Sequence, residues 1–197
     1  MKEIEQRIIQ EASRGSNSAF KTLYDFYAPY VWRLVYRSAG GDREATGEIV
    51  QDTFVRVHRS LKKFRKESSI STWIYRIAYN AALAFLKRRK NTALHTIESY
   101  DAVPGNERSD RYEMDQLIAK ALNGLSAGER FLLTAREVDG MSFEELAIIT
   151  GKAEGALRTQ LSRIKSDIRE HFIEKQEFSG STNENGRAVL QYARSGT

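Results

Sequence analysis

The sequence predicts an all-α protein of two helical domains, and three observations carry that prediction. Apolar residues recur at helical rather than alternating spacing through most of the chain. Only two prolines, Pro29 and Pro104, interrupt its 197 residues. Between 91 and 115 the apolar period gives way to Asn, Thr, Ser, Pro104-Gly105 and the acids Glu98, Asp101, Glu107, Asp110, Glu113 and Asp115. That composition reads as a flexible acidic linker, so the expected boundaries are a first domain over 1–90, a linker over 91–111, a second domain over 112–175 and a loose tail over 176–197.

Taken in order, a first helix is expected from about Ile4 to Ser13, ending near Gly15. A second begins at Ser16 to Ser18 and buries Phe20, Leu23, Tyr24 and Tyr27. Pro29 should kink or restart it before Val31, Leu34 and Val35 continue the apolar face to Gly40-Gly41. The third helix, about Arg43 to Leu61, buries Val50, Phe54, Val57 and Leu61 at i, i+4, i+7, i+11. Nearly opposite, Glu44, Glu48 and Asp52 form an acidic stripe. Like charges four apart cost a few tenths of a kcal/mol per pair, so the stripe is either simply solvated, helped by Asp52 pairing with Arg56, or meets a basic surface on another protein.

Residues 62–90 concentrate charge of the other sign: Lys62, Lys63, Arg65, Lys66, Arg76, Lys87, Arg88, Arg89 and Lys90 against Glu67 alone. Within this field Ser71 or Thr72 is expected to N-cap a helix running to about Lys90. At about 100° per residue, Trp73, Arg76, Asn80 and Lys87 share one face, and Ile74, Ala78, Ala81 and Phe85 share a buried one. An exposed indole among cations and an amide suits nucleic acid: cations neutralise phosphate, the amide reads a base edge, and the ring stacks or wedges. A solvated basic helix with a partly buried Trp fits the same spacing.

In the second domain a helix is expected from Tyr112 to about Leu122. Ser126 with Glu129 makes a capping box opening a helix through Val138, and Asp139-Gly140 turns the chain. Ser142 with Glu145 makes a second box before Phe143, Leu146, Ala147 and Ile149, broken at Thr150-Gly151. A longer helix from about Ala153 to Phe172 then buries Leu157, Leu161, Ile164 and Ile168. Short helix, glycine turn and long amphipathic helix make a helix-turn-helix pattern. Arg158, Thr159, Ser162 and Arg163 lie off the buried seam, where a recognition helix meets bases and phosphates.

Composition bounds the function. Lys and Arg number 31 against 26 acids, a net charge of +5 and pI of about 9.4, which favours a polyanionic partner. With no cysteine there is no disulfide framework or thiolate metal site, as suits a reducing cytoplasm. His58, His95 and His171 lack metal-ligand spacing. No apolar run approaches a membrane span, so no membrane insertion is expected. No nucleophile–base constellation or phosphate-binding glycine loop points to an enzyme, and no cofactor is expected.

Over roughly residues 17–172 the chain resembles the extracytoplasmic-function (ECF) group of bacterial RNA polymerase sigma factors. The stretches IVQDTFVRVHRSLKKF and FRKESSISTWIYRIAYN look like conserved region two, and LNGLSAGERFLLTAREVDGMSFEELAIITGKAEGALRTQLSRIK looks like region four. The resemblance implies an alternative sigma factor that binds core RNA polymerase and promoter DNA. It implies that Glu48, Gln51, Asp52 and Phe54 make or support contact with the β′ clamp helices, and that the polymerase's β flap is a further contact. It implies that Arg65, Lys66, Ser68, Ser69, Thr72, Trp73, Arg76, Asn80 and Lys87 serve the minus-ten element. Arg158, Thr159, Ser162 and Arg163 would read the minus-thirty-five element. It further implies an anti-sigma partner that masks both domains; the linker permits the rearrangement this needs, so the two domains are expected to tumble independently in the free chain. A stand-alone helix-turn-helix regulator is the alternative, and it leaves the Trp73 segment unexplained.

The chain departs from the family pattern at Gly47 and Ala84, where acids are usual. Lys152, Ala156 and Gln160 replace an apolar residue, a Thr and an Arg. Ile74 stands where housekeeping sigma factors carry a second Trp, which implies weaker melting and stricter promoter choice.

Overall fold

The computed structural model describes residues 4–92 and 124–179, with the backbone alone for 90–92 and 171–179. The described residues form seven helices and no strand: α1 (Gln6–Ser13), α2 (Asn17–Ser38), α3 (Arg43–Ser60), α4 (Ile70–Thr92), α5 (Ala127–Glu137), α6 (Phe143–Thr150) and α7 (Glu154–Ser179), with a 3-10 turn at Leu61–Lys63. The expected helix over 112–122, the linker and most of the tail lie outside the described residues.

The helix ends follow the sequence chemistry closely. Ser16 and Asp42 accept from the backbone N–H of Ala19 and Ala45 at 3.3 and 2.9 Å. Both expected capping boxes form, Ser126 with Glu129 and Ser142 with Glu145. Each such cap stabilises its helix by about 0.5–2 kcal/mol. Gly140 in the turn after α5 and Gly151 at the C-cap of α6 have φ of 68° and 72°, the left-handed region that a side chain disfavours.

Three local expectations need correction. Helix α2 is not restarted at Pro29 but continues through it; the proline removes only its own N–H bond to the carbonyl of Asp25, and the packed flanks hold the rest. Ser69, not Ser71 or Thr72, caps α4, its Oγ accepting from the Thr72 N–H at 3.1 Å. Ser71 and Thr72 are instead buried inside the first turn. Helix α7 continues to Ser179, so its end overlaps the first residues assigned to the tail.

Helix α4 is the axis of the molecule because it carries three faces. Ile74, Ala78 and Ala81 are buried, with Phe85 partly so, against the first domain as the spacing predicts. Tyr75, Tyr79 and Ala82, about 100° further round, are also buried. They back onto the second domain, where Phe131 meets Tyr79 with ring centroids 4.7 Å apart. The third face, with Arg76, Asn80 and Lys87, stays exposed.

The two domains therefore share one continuous core from Ile4 to Ile164, rather than standing apart as expected. Arg130 on α5 donates from Nε to the Ser38 carbonyl of α2 at 2.9 Å, closing the junction with a charge-assisted bond. Beside it, Asp139 sits half-buried near Arg33 and Arg37. Burial pushes its carboxyl above the usual range, and the two guanidiniums pull it back less strongly. Tyr75 is pushed up by burial first and by Asp139 second.

Candidate nucleic-acid interface

The first polar surface begins in the loop between the 3-10 turn and α4. Arg65, Lys66 and Ser69 are exposed there, and Ser68 is half-buried. Lys66 has φ of 60°, the only positive value among described non-glycine residues. A left-handed L-residue costs roughly 1–2 kcal/mol, so the loop holds a strained shape that presents its cations. The Ser69 Oγ binds the Ser71 and Thr72 hydroxyls at 2.7 and 2.8 Å, tying this loop to the start of α4.

On α4 itself Arg76, Asn80 and Lys87 are exposed as expected. Among the described residues neither Arg76 nor Lys87 makes an ion pair. Trp73 differs from the expectation of an exposed indole. It is half-buried, packed on Phe64 with centroids 5.2 Å apart and planes 48° apart. Thr72 is 2% exposed and cannot reach a ligand; its place is in the helix cap. Ile74 is fully buried, so the departure there belongs to core packing and presents nothing to DNA.

The second polar surface lies on α7, with Leu157, Leu161 and Ile164 buried beneath it. Arg158, Thr159, Ser162 and Arg163 are all exposed. Thr159 donates to the Gly155 carbonyl at 3.0 Å, a bond within its own helix. Two departures from the family pattern turn out to be partners: Lys152 donates from Nζ to Gln160 Oε1 at 2.8 Å. At the base of this domain, hydrogen bonds from Ser126 hold the Glu129 carboxyl below its usual range.

A third surface faces away from the buried side of α3. Glu48 and Gln51 are exposed, while Asp52 pairs with Arg56 at 2.8 Å, as the spacing suggested. Phe54 is buried and can only support a contact, through Tyr24, whose ring meets it edge-on at 4.7 Å. Tyr24 is 40% exposed, although the sequence places it in the core, and Trp32 beside it is 39% exposed. With Gly47, Gln51, Phe54 and Val55 they line a groove of about 570 Å³. A Cβ at Gly47 would meet nothing within 4 Å, so packing does not force the glycine; its absence of a side chain opens the groove. Sequence reasoning misses this groove because its aromatics fit a core pattern equally well.

Among the described residues no helix is long and apolar enough to cross a membrane, and no cluster of His, Asp or Glu could hold a metal ion.

Two known families account for most of the chain. Residues 23–92 match the sigma-70 region 2 family and residues 115–168 the sigma-70 region 4 family, together well over half the chain. The ECF RNA polymerase sigma-E factor of Escherichia coli (strain K12) is 29% identical over 178 residues, covering 83% of this chain and 92% of that one. That of Haemophilus influenzae is 28% identical, covering 83% and 93%. Among solved structures, CnrH in complex with the cytosolic domain of CnrY aligns with a TM-score of 0.63 at 22% identity, over 85% of this chain and 96% of that one. The sigma factor RpoE of Bartonella quintana, in complex with the anti-sigma factor NepR, gives 0.63 at 24% identity, over 77% and 94%. These two likenesses concern the fold.

Proposed function

Since the chain belongs to the ECF group of RNA polymerase sigma factors and so directs transcription initiation, we propose that it divides this work among its three surfaces. The α3 face, with Glu48, Gln51 and Asp52 beside the aromatic groove, docks on the β′ clamp helices of core polymerase. The second domain fixes register on duplex DNA at the minus-thirty-five element, through Arg158, Thr159, Ser162 and Arg163 on α7. The loop with Arg65, Lys66, Ser68 and Ser69, and the α4 face with Trp73, Arg76, Asn80 and Lys87, hold unstacked minus-ten bases. Trp73 is backed by Phe64, so it would act as a braced wedge. Thr72 contributes only by shaping the loop.

The observation that carries this reading is that two separate sets of exposed polar side chains sit on helices matched, in order, by both families. Catalysis belongs to the polymerase, in the cytoplasm; the chain supplies binding and orientation with no cofactor. A further partner of the anti-sigma kind fits the same surfaces, in line with the complexes in which both solved relatives were seen.

Two measurements test the proposal. Core polymerase carrying the chain should start transcripts at sites sharing a two-part upstream motif; DNA binding without polymerase association would favour the stand-alone regulator. Reversing Glu48 and Asp52 together should weaken core binding by on the order of 1 kcal/mol per charge with helix content unchanged. An unaltered affinity would overturn the assignment of the α3 face.

A further inference from the structure

Arg158 is held by two neighbours of different kinds. Its guanidinium pairs with Glu154 at 3.0 Å, one turn earlier on α7. Its Cζ also lies 4.2 Å from the ring centroid of Phe143, the first residue of α6. Arg136 of α5 stands 4.6 Å from the same centroid, and its own guanidinium donates to the Met141 carbonyl at 2.6 Å. The ring is thus gripped by a cation that is itself anchored to the backbone. The Ser142–Glu145 capping box fixes the turn on which the ring is mounted.

The two contacts on Arg158 respond oppositely to an approaching polyanion. Phosphate repels the Glu154 carboxylate and competes with it, and an exposed i, i+4 pair is weak and screened by salt. The ring carries no net charge, and its face stays attractive to the guanidinium throughout. Arginine is rich in rotamers, and a fork that meets a guanine edge must arrive in one plane. A stacking platform removes that freedom in advance.

We propose that Phe143 is a positioning residue for DNA readout: it orients the Arg158 guanidinium for base contact and keeps it oriented when Glu154 is displaced. This rests on the reading of Arg158 as a base contact. Phe143 itself touches no DNA. Glu154 serves as a parking place in the free protein, which DNA vacates.

The test uses the full chain loaded on core polymerase and two probes. One is the duplex that the wild type enriches from a randomised upstream library, and the other is a scrambled duplex of equal length. Phe143→Leu should lose about two- to fivefold in affinity for the enriched duplex and nothing for the scrambled one. Phe143→Tyr, which keeps the ring, should behave as wild type, separating positioning from any loss of packing. In an Arg158→Ala background, Phe143→Leu should have no further effect on discrimination. Equal losses on both duplexes, or a full additional loss in that background, would overturn the inference. If Arg158→Ala alone leaves discrimination intact, the base-contact reading has failed first, and the role of Phe143 falls with it.

Discussion

The two surfaces proposed to meet DNA are built on different plans. On α7 one of the two outward arginines is pre-set: Arg158, unlike Arg163, is paired by Glu154 and stacked on Phe143 before any ligand arrives. On α4 the outward Arg76 and Lys87 have no such partners among the described residues, and the loop before them is strained at Lys66. The difference matches the substrates proposed for them. Duplex DNA presents a rigid, repeating edge, which rewards a guanidinium already in plane. Unstacked bases have no fixed geometry until captured, so free cations around a braced indole and a shaped loop suit them better. A rigid partner is met by rigidity, and an adaptable one by reach.

The two surfaces are carried on one body, and the largest expected effect comes from breaking that body. Phe131→Ala removes a ring that is 1% exposed, within the second domain's core and against Tyr79 of α4. It should cost about 3–5 kcal/mol in thermal or denaturant unfolding, with small-angle scattering showing a more extended particle. A cost below about 1 kcal/mol would mean that the junction is not packed as described.

A smaller effect sharpens the contrast at the loop. Lys66→Gly should raise stability by about 0.5–1 kcal/mol, because glycine relieves the left-handed backbone but adds chain entropy when unfolded. Transcription from duplex promoters should fall all the same, since the proposed function places this cation beside the unstacked strand. A loss of stability would show that the loop carries no strain.

The smallest effect concerns how tightly the two surfaces are joined. Asp139 has a raised pKa in the fold, so the folded state holds its proton more firmly than the unfolded chain does. Stability from this group is therefore fully present below the ordinary carboxylate range and is lost as pH rises through it to the raised folded value. Asp139→Asn should leave the protein slightly more stable at neutral pH and flatten that part of the stability–pH profile. An unchanged profile would mean that burial does not act on this carboxylate.

Much of this is legible in the sequence, for identifiable reasons. Caps and turns are local, so Ser126–Glu129, Ser142–Glu145 and the glycines at 140 and 151 can be read directly. The buried faces of α3 and α7 follow from period alone. What escapes is anything that depends on a second partner. Tyr75, Tyr79 and Ala82 fall outside the single apolar stripe assigned to α4, because a helix buried on two sides has no single stripe. Trp73 and Thr72 sit beside the exposed residues in sequence, yet Phe64 and the Ser69 cap draw them inward. The stacking of Arg158 on Phe143 joins α7 to the start of α6 across a turn, which no helical period reveals.

The central claim, that one surface reads duplex DNA and the other holds opened strands, is tested most directly by initiation on two templates. One is an intact duplex promoter and the other is the same sequence already opened around the start site. Arg158→Ala with Arg163→Ala should depress initiation on the duplex, by about 1–3 kcal/mol for each bidentate arginine–guanine pair removed, and leave the opened template nearly normal. Arg76→Ala with Lys87→Ala should depress both, because opened strands still need the α4 face. Equal losses by both pairs on both templates would contradict the division of labour.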